Sequence, residues 1–84
     1  MRAYYFWAGY CGFCKWARKE IIDPLIADGA EIEPVDCMRN PDTALRYNVN
    51  KVPVLVFVDD RGNELKRLYR GAITKEAITD TLGL

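Results

Sequence analysis

The sequence predicts an α/β domain with the element order β-α-β-α-β-β-α, in which a central four-stranded mixed sheet is flanked by helices. Continuous aromatic and β-branched runs at residues 2–7 and 52–58 are typical of buried strands. Proline and glycine signals divide the chain between these runs into alternating helical and extended segments. The 84 residues are expected to form a single domain, residues 1–84, that buries roughly 60–65% of its unfolded surface.

The first part of the chain is predicted to form a strand–helix–strand unit. Residues 2–7 form the first strand, residues 11–22 form a helix, and residues 30–37 form the second strand. A helical crossover joins parallel strands and is right-handed in nearly all known cases. We therefore expect the first two strands to be parallel.

One Asp-Pro pair and one Asn-Pro pair are each predicted to begin a short helical segment. Asp23 before Pro24 would cap a new turn over residues 24–28 and interrupt the first helix. Asn40 before Pro41 would likewise begin a short helix that extends to about Tyr47.

The last part of the chain is predicted to form a hairpin followed by a helix. Residues 52–58 and 64–70 are the two strands, and the polar residues 59–63 form the turn between them. A final helix is expected to be capped by Thr74 and to extend to Leu82.

Composition argues against several classes of function. Twelve basic and twelve acidic side chains balance, so no electrostatic surface for nucleic acid is expected. No apolar stretch is long enough to cross a membrane, and no secretory signal is recognised at the start of the chain. A monomer in the reducing cytoplasm is therefore expected, where paired cysteines are more often catalytic than structural.

The most informative motif is Cys11-Gly12-Phe13-Cys14, which lies between the first strand and the first helix. A helix N-terminus carries unpaired N–H groups and partial positive charge, which stabilise a thiolate at Cys11. Cys14 lies one turn further on and can close a disulfide with Cys11, so the pair can exchange two electrons with another disulfide. Lys15 follows directly and adds positive charge, whereas Arg18 is expected to be solvated.

The alternatives are a structural disulfide and a metal site. A disulfide that closes so short a loop removes little entropy from the unfolded chain. Structural zinc usually has four Cys or His ligands, but the chain has three cysteines and no histidine. A zinc or iron–sulfur module would therefore need two copies of the chain, and we expect no metal and no bound cofactor.

The sequence resembles the thioredoxin family over nearly its whole length. The matching segments are residues 6–15, 35–36, 40–44, Tyr47, 52–55 and 71–75. The resemblance implies a thioredoxin-like fold and a protein-disulfide reductase that acts through a mixed disulfide. It also implies disulfide-containing protein substrates and an electron donor such as a thioredoxin reductase.

The resemblance further implies the roles of individual residues. Cys11 would attack the substrate disulfide and Cys14 would resolve the intermediate. The peptide bond between Val52 and Pro53 would be cis, which frees the Val52 backbone to pair with an extended substrate. The residues expected to contact substrate are Trp7, Tyr10, Gly12, Phe13, Val52, Pro53 and Gly71. At Gly71, a bulge or a close backbone approach is expected.

Several features depart from the family pattern. The chain begins at the strand before the motif, which suggests a minimal form near glutaredoxin size. Phe13 replaces the usual proline of thioredoxins, and Gly-Phe also differs from the Pro-Tyr of glutaredoxins. A glutathione-dependent, glutaredoxin-like enzyme is the nearest alternative, although no clear glutathione-anchoring pattern follows Gly71.

Proton transfer also differs from the family pattern. Thioredoxins have a buried acid paired with a lysine, and these positions fall on Tyr5 and about Ile32. Losing both members together is coherent because a lone buried charge would cost several kcal/mol. Tyr5 is interpreted as core packing, with a proton relay as the alternative. Cys37 is interpreted as a small buried residue outside the redox cycle.

Overall fold

Four strands form one sheet in the computed structural model, which describes all 84 residues. The strands are β1 (Arg2–Trp7), β2 (Ile32–Asp36), β3 (Val54–Val58) and β4 (Glu64–Tyr69). Their spatial order is β2-β1-β3-β4. β1 is parallel to β2, whereas the β1–β3 and β3–β4 pairs are antiparallel, which confirms the predicted mixed sheet.

The helices connect the strands in the predicted order. They are α1 (Gly12–Ala17), α2 (Asp23–Ala27), α3 (Pro41–Arg46) and α4 (Lys75–Leu82). A π-helical turn (Arg18–Ile22) joins α1 to α2, and a short 3₁₀ turn (Arg70–Ala72) follows β4. None of these helices is long and apolar enough to cross a membrane.

A new helix, α2, begins at Asp23-Pro24 as predicted, but the predicted cap by Asp23 is wrong. Asp23 has helical backbone angles, and its N–H donates to the carbonyl of Arg18 in the π-helical turn. The wider turn accommodates the proline, which has no N–H and would crowd the preceding turn of a regular helix. The Asp23 carboxylate does not cap a helix but lies 3.5 Å from the Arg18 guanidinium.

The two other predicted caps have different outcomes. The Thr74 hydroxyl accepts a hydrogen bond from the Ala77 N–H at 3.1 Å, which confirms the cap of α4. Asn40 makes no side-chain cap to α3; its amide instead donates to the Asp36 carbonyl at 3.1 Å. β2 is shorter than predicted at both ends, with Cys37 in the turn that follows it, and β3 begins two residues later than predicted because Val52 and Pro53 lie in a bend.

Alternate residues of the central strands pack on opposite faces of the sheet, because successive strand side chains alternate in direction. The larger cluster lies under α1, α2 and α4 and includes Tyr5, Leu55 and Phe57. The smaller cluster lies under α3 and includes Phe6 and Val56. Helices thus cover both faces, and the β1–α1 loop emerges at one end of the sheet.

Candidate active site

The N-terminus of α1 places the two sulfur atoms of the motif in different environments. Cys11 is the N-cap residue, with an extended backbone, and its sulfur accepts a hydrogen bond from the Cys14 N–H at 3.1 Å. Cys11 is partly exposed, whereas Cys14 is fully buried. The first sulfur therefore faces an otherwise unpaired helical N–H group, an arrangement that favours negative charge.

The Cys14 thiol is held in its protonated form. Burial raises the pKa of Cys14 to about 12, and a hydrogen bond with the Cys11 side chain adds to this effect. A backbone hydrogen bond from Ala8 and the positive charge of Arg70 act in the opposite direction. At neutral pH the buried sulfur therefore retains its proton, because its pKa lies well above the pH.

Tyr5 contacts this site from beneath. Its side chain is fully buried, and its hydroxyl donates to the Cys14 backbone carbonyl at 2.8 Å. Burial raises the pKa of Tyr5 far above its usual value, and the neighbouring Cys14 and Cys11 reinforce the shift. Tyr5 therefore packs in the core and supports α1 through a neutral hydroxyl.

Aromatic side chains surround the motif. Trp7 is half-buried under the Arg18 guanidinium, whose central carbon lies 4.8 Å from the ring centroid. Tyr10 is 77% exposed in the β1–α1 loop. Phe13 packs partly on the core and contacts Trp16, with ring centroids 5.6 Å apart. Trp16 is 53% exposed, and the sequence interpretation missed it because helical spacing alone did not distinguish it from packing residues.

The predicted residues outside α1 lie at two turns. The Val52–Pro53 peptide bond is cis, and Pro53 is buried immediately before β3. Gly71 lies in the 3₁₀ turn, and a Cβ added there would meet no atom within 4 Å. Gly71 follows β4 in this turn and the only register shift between β3 and β4 lies at Phe57 and Val58, so the expected bulge at Gly71 is wrong. Gly12 also has free space around it, as the first residue of α1.

Arg70 is the site residue that sequence reasoning missed most completely. Its guanidinium carbon lies 4.8 Å from the Phe13 ring centroid, and its backbone N–H donates to the Pro53 carbonyl at 3.4 Å. Arg70 thus connects the motif with the cis peptide bond. No local sequence signal marks this contact, because it joins residues far apart in the chain.

Cys37 lies beside the end of β1 but packs on the other face of the sheet. Its N–H donates to the Trp7 carbonyl at 2.9 Å, and its side chain packs partly against the cluster under α3. Burial raises the pKa of the Cys37 thiol, and the Asp36 carboxylate adds to the shift. All three cysteines are free thiols. No group of three or more Cys, Asp or Glu side chains is arranged to hold a metal ion.

Comparison with known sequences relates this arrangement to other proteins. A family model described as Thioredoxin matches residues 4–83. Thioredoxin M2, chloroplastic, of Arabidopsis thaliana is 33% identical over 92% of this chain and 41% of its own length. A thioredoxin of Staphylococcus aureus is 38% identical over 66% of this chain and 55% of its own length. The chain thus spans about half the length, or less, of these relatives.

Comparison with solved structures supports the same relationship. Thioredoxin 1 of Thermosipho africanus has a TM-score of 0.78 and 27% identity, with 96% of this chain and 90% of that one covered. Fasciola hepatica thioredoxin has a TM-score of 0.80 and 25% identity, with 96% and 76% covered. The family match extends over nearly all the described residues, and the fold agrees with it. The chain belongs to the thioredoxin family.

Proposed function

We propose that this chain is a thiol–disulfide oxidoreductase that reduces disulfides of protein substrates through Cys11 and Cys14. One observation carries the proposal: Cys11 is partly exposed and its sulfur accepts a helical N–H, whereas the adjacent Cys14 thiol is buried and its pKa is raised. This asymmetry gives the sulfurs different tasks, because a thiolate attacks disulfides and a thiol does not. Membership of the thioredoxin family supports the same activity.

The proposed cycle transfers two electrons and two protons to the substrate. The Cys11 thiolate attacks one substrate sulfur, the substrate S–S bond breaks, and the leaving sulfur takes a proton. Cys14 then loses its proton and attacks the Cys11 sulfur of the mixed disulfide. That bond breaks, the second substrate sulfur takes a proton, and a Cys11–Cys14 disulfide forms. An external dithiol or reductase must return the two electrons.

The substrate is proposed to bind as an extended segment beside the motif. Pro53 is buried, and Val52 lies just before it in the bend that leads into β3, where its backbone can pair with an added strand. Trp7, Tyr10 and Phe13 would provide apolar contacts around the sulfur atoms. Gly12 and Gly71 would leave space for the substrate, since neither has a neighbour where a Cβ would lie.

A comparison of electron donors tests the activity and its source of electrons. We expect the reduced protein to accelerate the reduction of a model protein disulfide, with thioredoxin reductase as the better donor. Turnover with glutathione alone would instead favour the glutaredoxin-like alternative. We propose the cytoplasm as the site of action, because a reducing compartment keeps the two thiols reduced.

Metal analysis distinguishes the binding-module alternative from the enzyme. A zinc or iron–sulfur module would require Cys11 and Cys14 from two chains to provide four ligands. Anaerobically purified protein should therefore be assayed for zinc and iron, and its mass in solution measured. About half an equivalent of metal per chain in a dimer would favour the module over the oxidoreductase.

Tyr5→Phe is expected to lower stability and leave turnover within about threefold of wild type. The variant loses one buried hydroxyl, but the Cys14 carbonyl still accepts the Arg18 N–H. The expected cost is about 1 kcal/mol, the usual contribution of one hydrogen bond. Urea denaturation measures the stability, and a pH series of disulfide reduction measures turnover. A large loss that varies with pH would instead identify Tyr5 as a proton relay.

Cys37→Ser is expected to leave disulfide reduction within about twofold of wild type. The Cys37 side chain packs against the cluster under α3, whereas Tyr5 and Phe13 belong to the opposite face. The rate with a model protein disulfide provides the measurement. A tenfold decrease would contradict the prediction, as would a native disulfide between Cys37 and either motif cysteine.

A further inference from the structure

A cationic cavity lies next to the proposed substrate-binding loop. Its volume is about 440 Å³, and its lining residues are Asn50, Lys51, Val52, Pro53, Tyr69 and Arg70. Lys51 and Arg70 are the only charged residues of this lining, and both are exposed. The half-exposed Tyr69 ring provides an apolar surface beside them. The cavity therefore offers positive charge and an apolar wall next to the cis peptide bond.

Arg70 is held between this cavity and the motif. Its φ of +38° lies in the left-handed region, which costs a non-glycine residue about 1 kcal/mol or more. The hydrogen bond from its N–H to the Pro53 carbonyl and the stacking of its guanidinium on Phe13 accompany this conformation. Residues in such conformations persist where the surroundings hold them, and they concentrate at functional sites.

Neither cation forms a salt bridge with an acidic side chain of the chain. None of the three salt bridges, Arg18–Asp23, Arg39–Asp36 and Arg67–Glu64, involves Lys51 or Arg70. No acidic side chain lines the cavity. An Arg guanidinium presents paired N–H donors that match a carboxylate, and a neighbouring lysine adds attraction. A carboxylate of a bound substrate would therefore find no competing acidic side chain in this cavity.

We propose that this cavity selects disulfide-bearing protein segments with an acidic side chain next to the reactive cysteine. This inference rests on the proposed function, because it assigns a substrate class to the same site. The extended segment pairs with the Val52 backbone, and its carboxylate enters the cavity between Lys51 and Arg70. Tyr69 packs against the methylene groups of the acidic side chain.

Three matched peptides test the charge preference. Each is a disulfide-linked homodimer of one sequence, with Glu, Gln or Lys beside its cysteine. The measurement is the second-order rate constant for oxidation of pre-reduced protein, read by alkylation and mass spectrometry. We expect the Glu peptide to react about tenfold faster than the Lys peptide at low salt, with the Gln peptide between them. The ratio should fall to about twofold in 1 M salt, because salt screens exposed charges.

Arg70→Gln and a matched control locate the source of the preference. Arg70→Gln should reduce the Glu-to-Lys rate ratio to about threefold, and adding Lys51→Gln should abolish it. Arg2→Gln removes the same charge from another stacked arginine, which lies 5.6 Å from the Tyr4 ring at the start of β1. This control should retain the wild-type ratio. Circular dichroism must show that each variant is folded.

The outcomes separate this inference from the proposed function. Equal rates for all three peptides would overturn the substrate preference and leave the oxidoreductase activity supported. A preference that persists after both cavity substitutions would also overturn it. An Arg70-dependent reaction seen only with glutathione disulfide would overturn the assignment to protein segments. Failure to oxidise the protein with any peptide would overturn both proposals.

Discussion

Replacing Cys11 with serine is expected to abolish the reduction of protein disulfides without unfolding the protein. A serine hydroxyl can accept the Cys14 N–H as the cysteine sulfur does at 3.1 Å, since serine is a favoured N-cap residue. It cannot attack a disulfide at neutral pH, because its hydroxyl remains protonated. The buried Cys14 also remains protonated, with its pKa raised to about 12 chiefly by burial, and cannot substitute for Cys11.

The expected loss is at least about a thousandfold, which should bring the rate to the uncatalysed background. Dithiothreitol-driven reduction of a model protein disulfide measures the rate. Cys11→Ala is the matched variant, because it removes both the sulfur and the cap and should cost about 1 kcal/mol more stability than serine. Retention of a tenth of the wild-type rate by the serine variant would show that the attacking sulfur is not Cys11.

The predicted order of helices and strands along the chain shows what hydrophobic pattern and turn chemistry determine. Residues 2–7 and 52–58 are apolar on both faces, and both faces of β1 and β3 are covered by helices. The Thr74 cap and the turn after β3 depend on local backbone chemistry, so they were predictable. The Asp59 carboxylate, for example, accepts the N–H groups of Arg61 and Asn63 in that turn.

The errors occur where two local solutions compete or where distant residues meet. Asp23-Pro24 fits a new capped turn as well as a π-helical bulge, and packing of Ile22 and Leu25 in the core accompanies the bulge. The cis bond at Pro53 followed from family resemblance and not from the local sequence. Arg70 has a positive φ, which is common for glycine and asparagine but not for arginine, so its residue type did not indicate this conformation. Its contact with Phe13 depends on how the turn after β4 meets α1.

Replacing Cys14 with serine is expected to convert the protein into a trap for its substrates. Cys11 retains its sulfur and its position at the start of α1, so the first exchange proceeds. Cys14 is fully buried beside it, and serine provides no sulfur to displace the bound substrate. The mixed disulfide between Cys11 and the substrate should therefore accumulate, and multiple turnover should stop. The Tyr5 hydroxyl still has its acceptor, because the acceptor is the backbone carbonyl of residue 14.

Non-reducing electrophoresis and mass spectrometry of a lysate treated with Cys14→Ser protein measure the trapped complexes. The double variant with Cys11→Ser is the matched control and should trap nothing. The protonated state of Cys14 adds an independent expectation: alkylation of the wild type at neutral pH should modify Cys11 first, because the pKa of Cys14 lies near 12. A folded Cys14→Ser protein that forms no mixed disulfides, or a wild type alkylated first at Cys14, would contradict the division of roles between the two sulfurs. Both results would then favour metal binding by the cysteine pair over disulfide exchange.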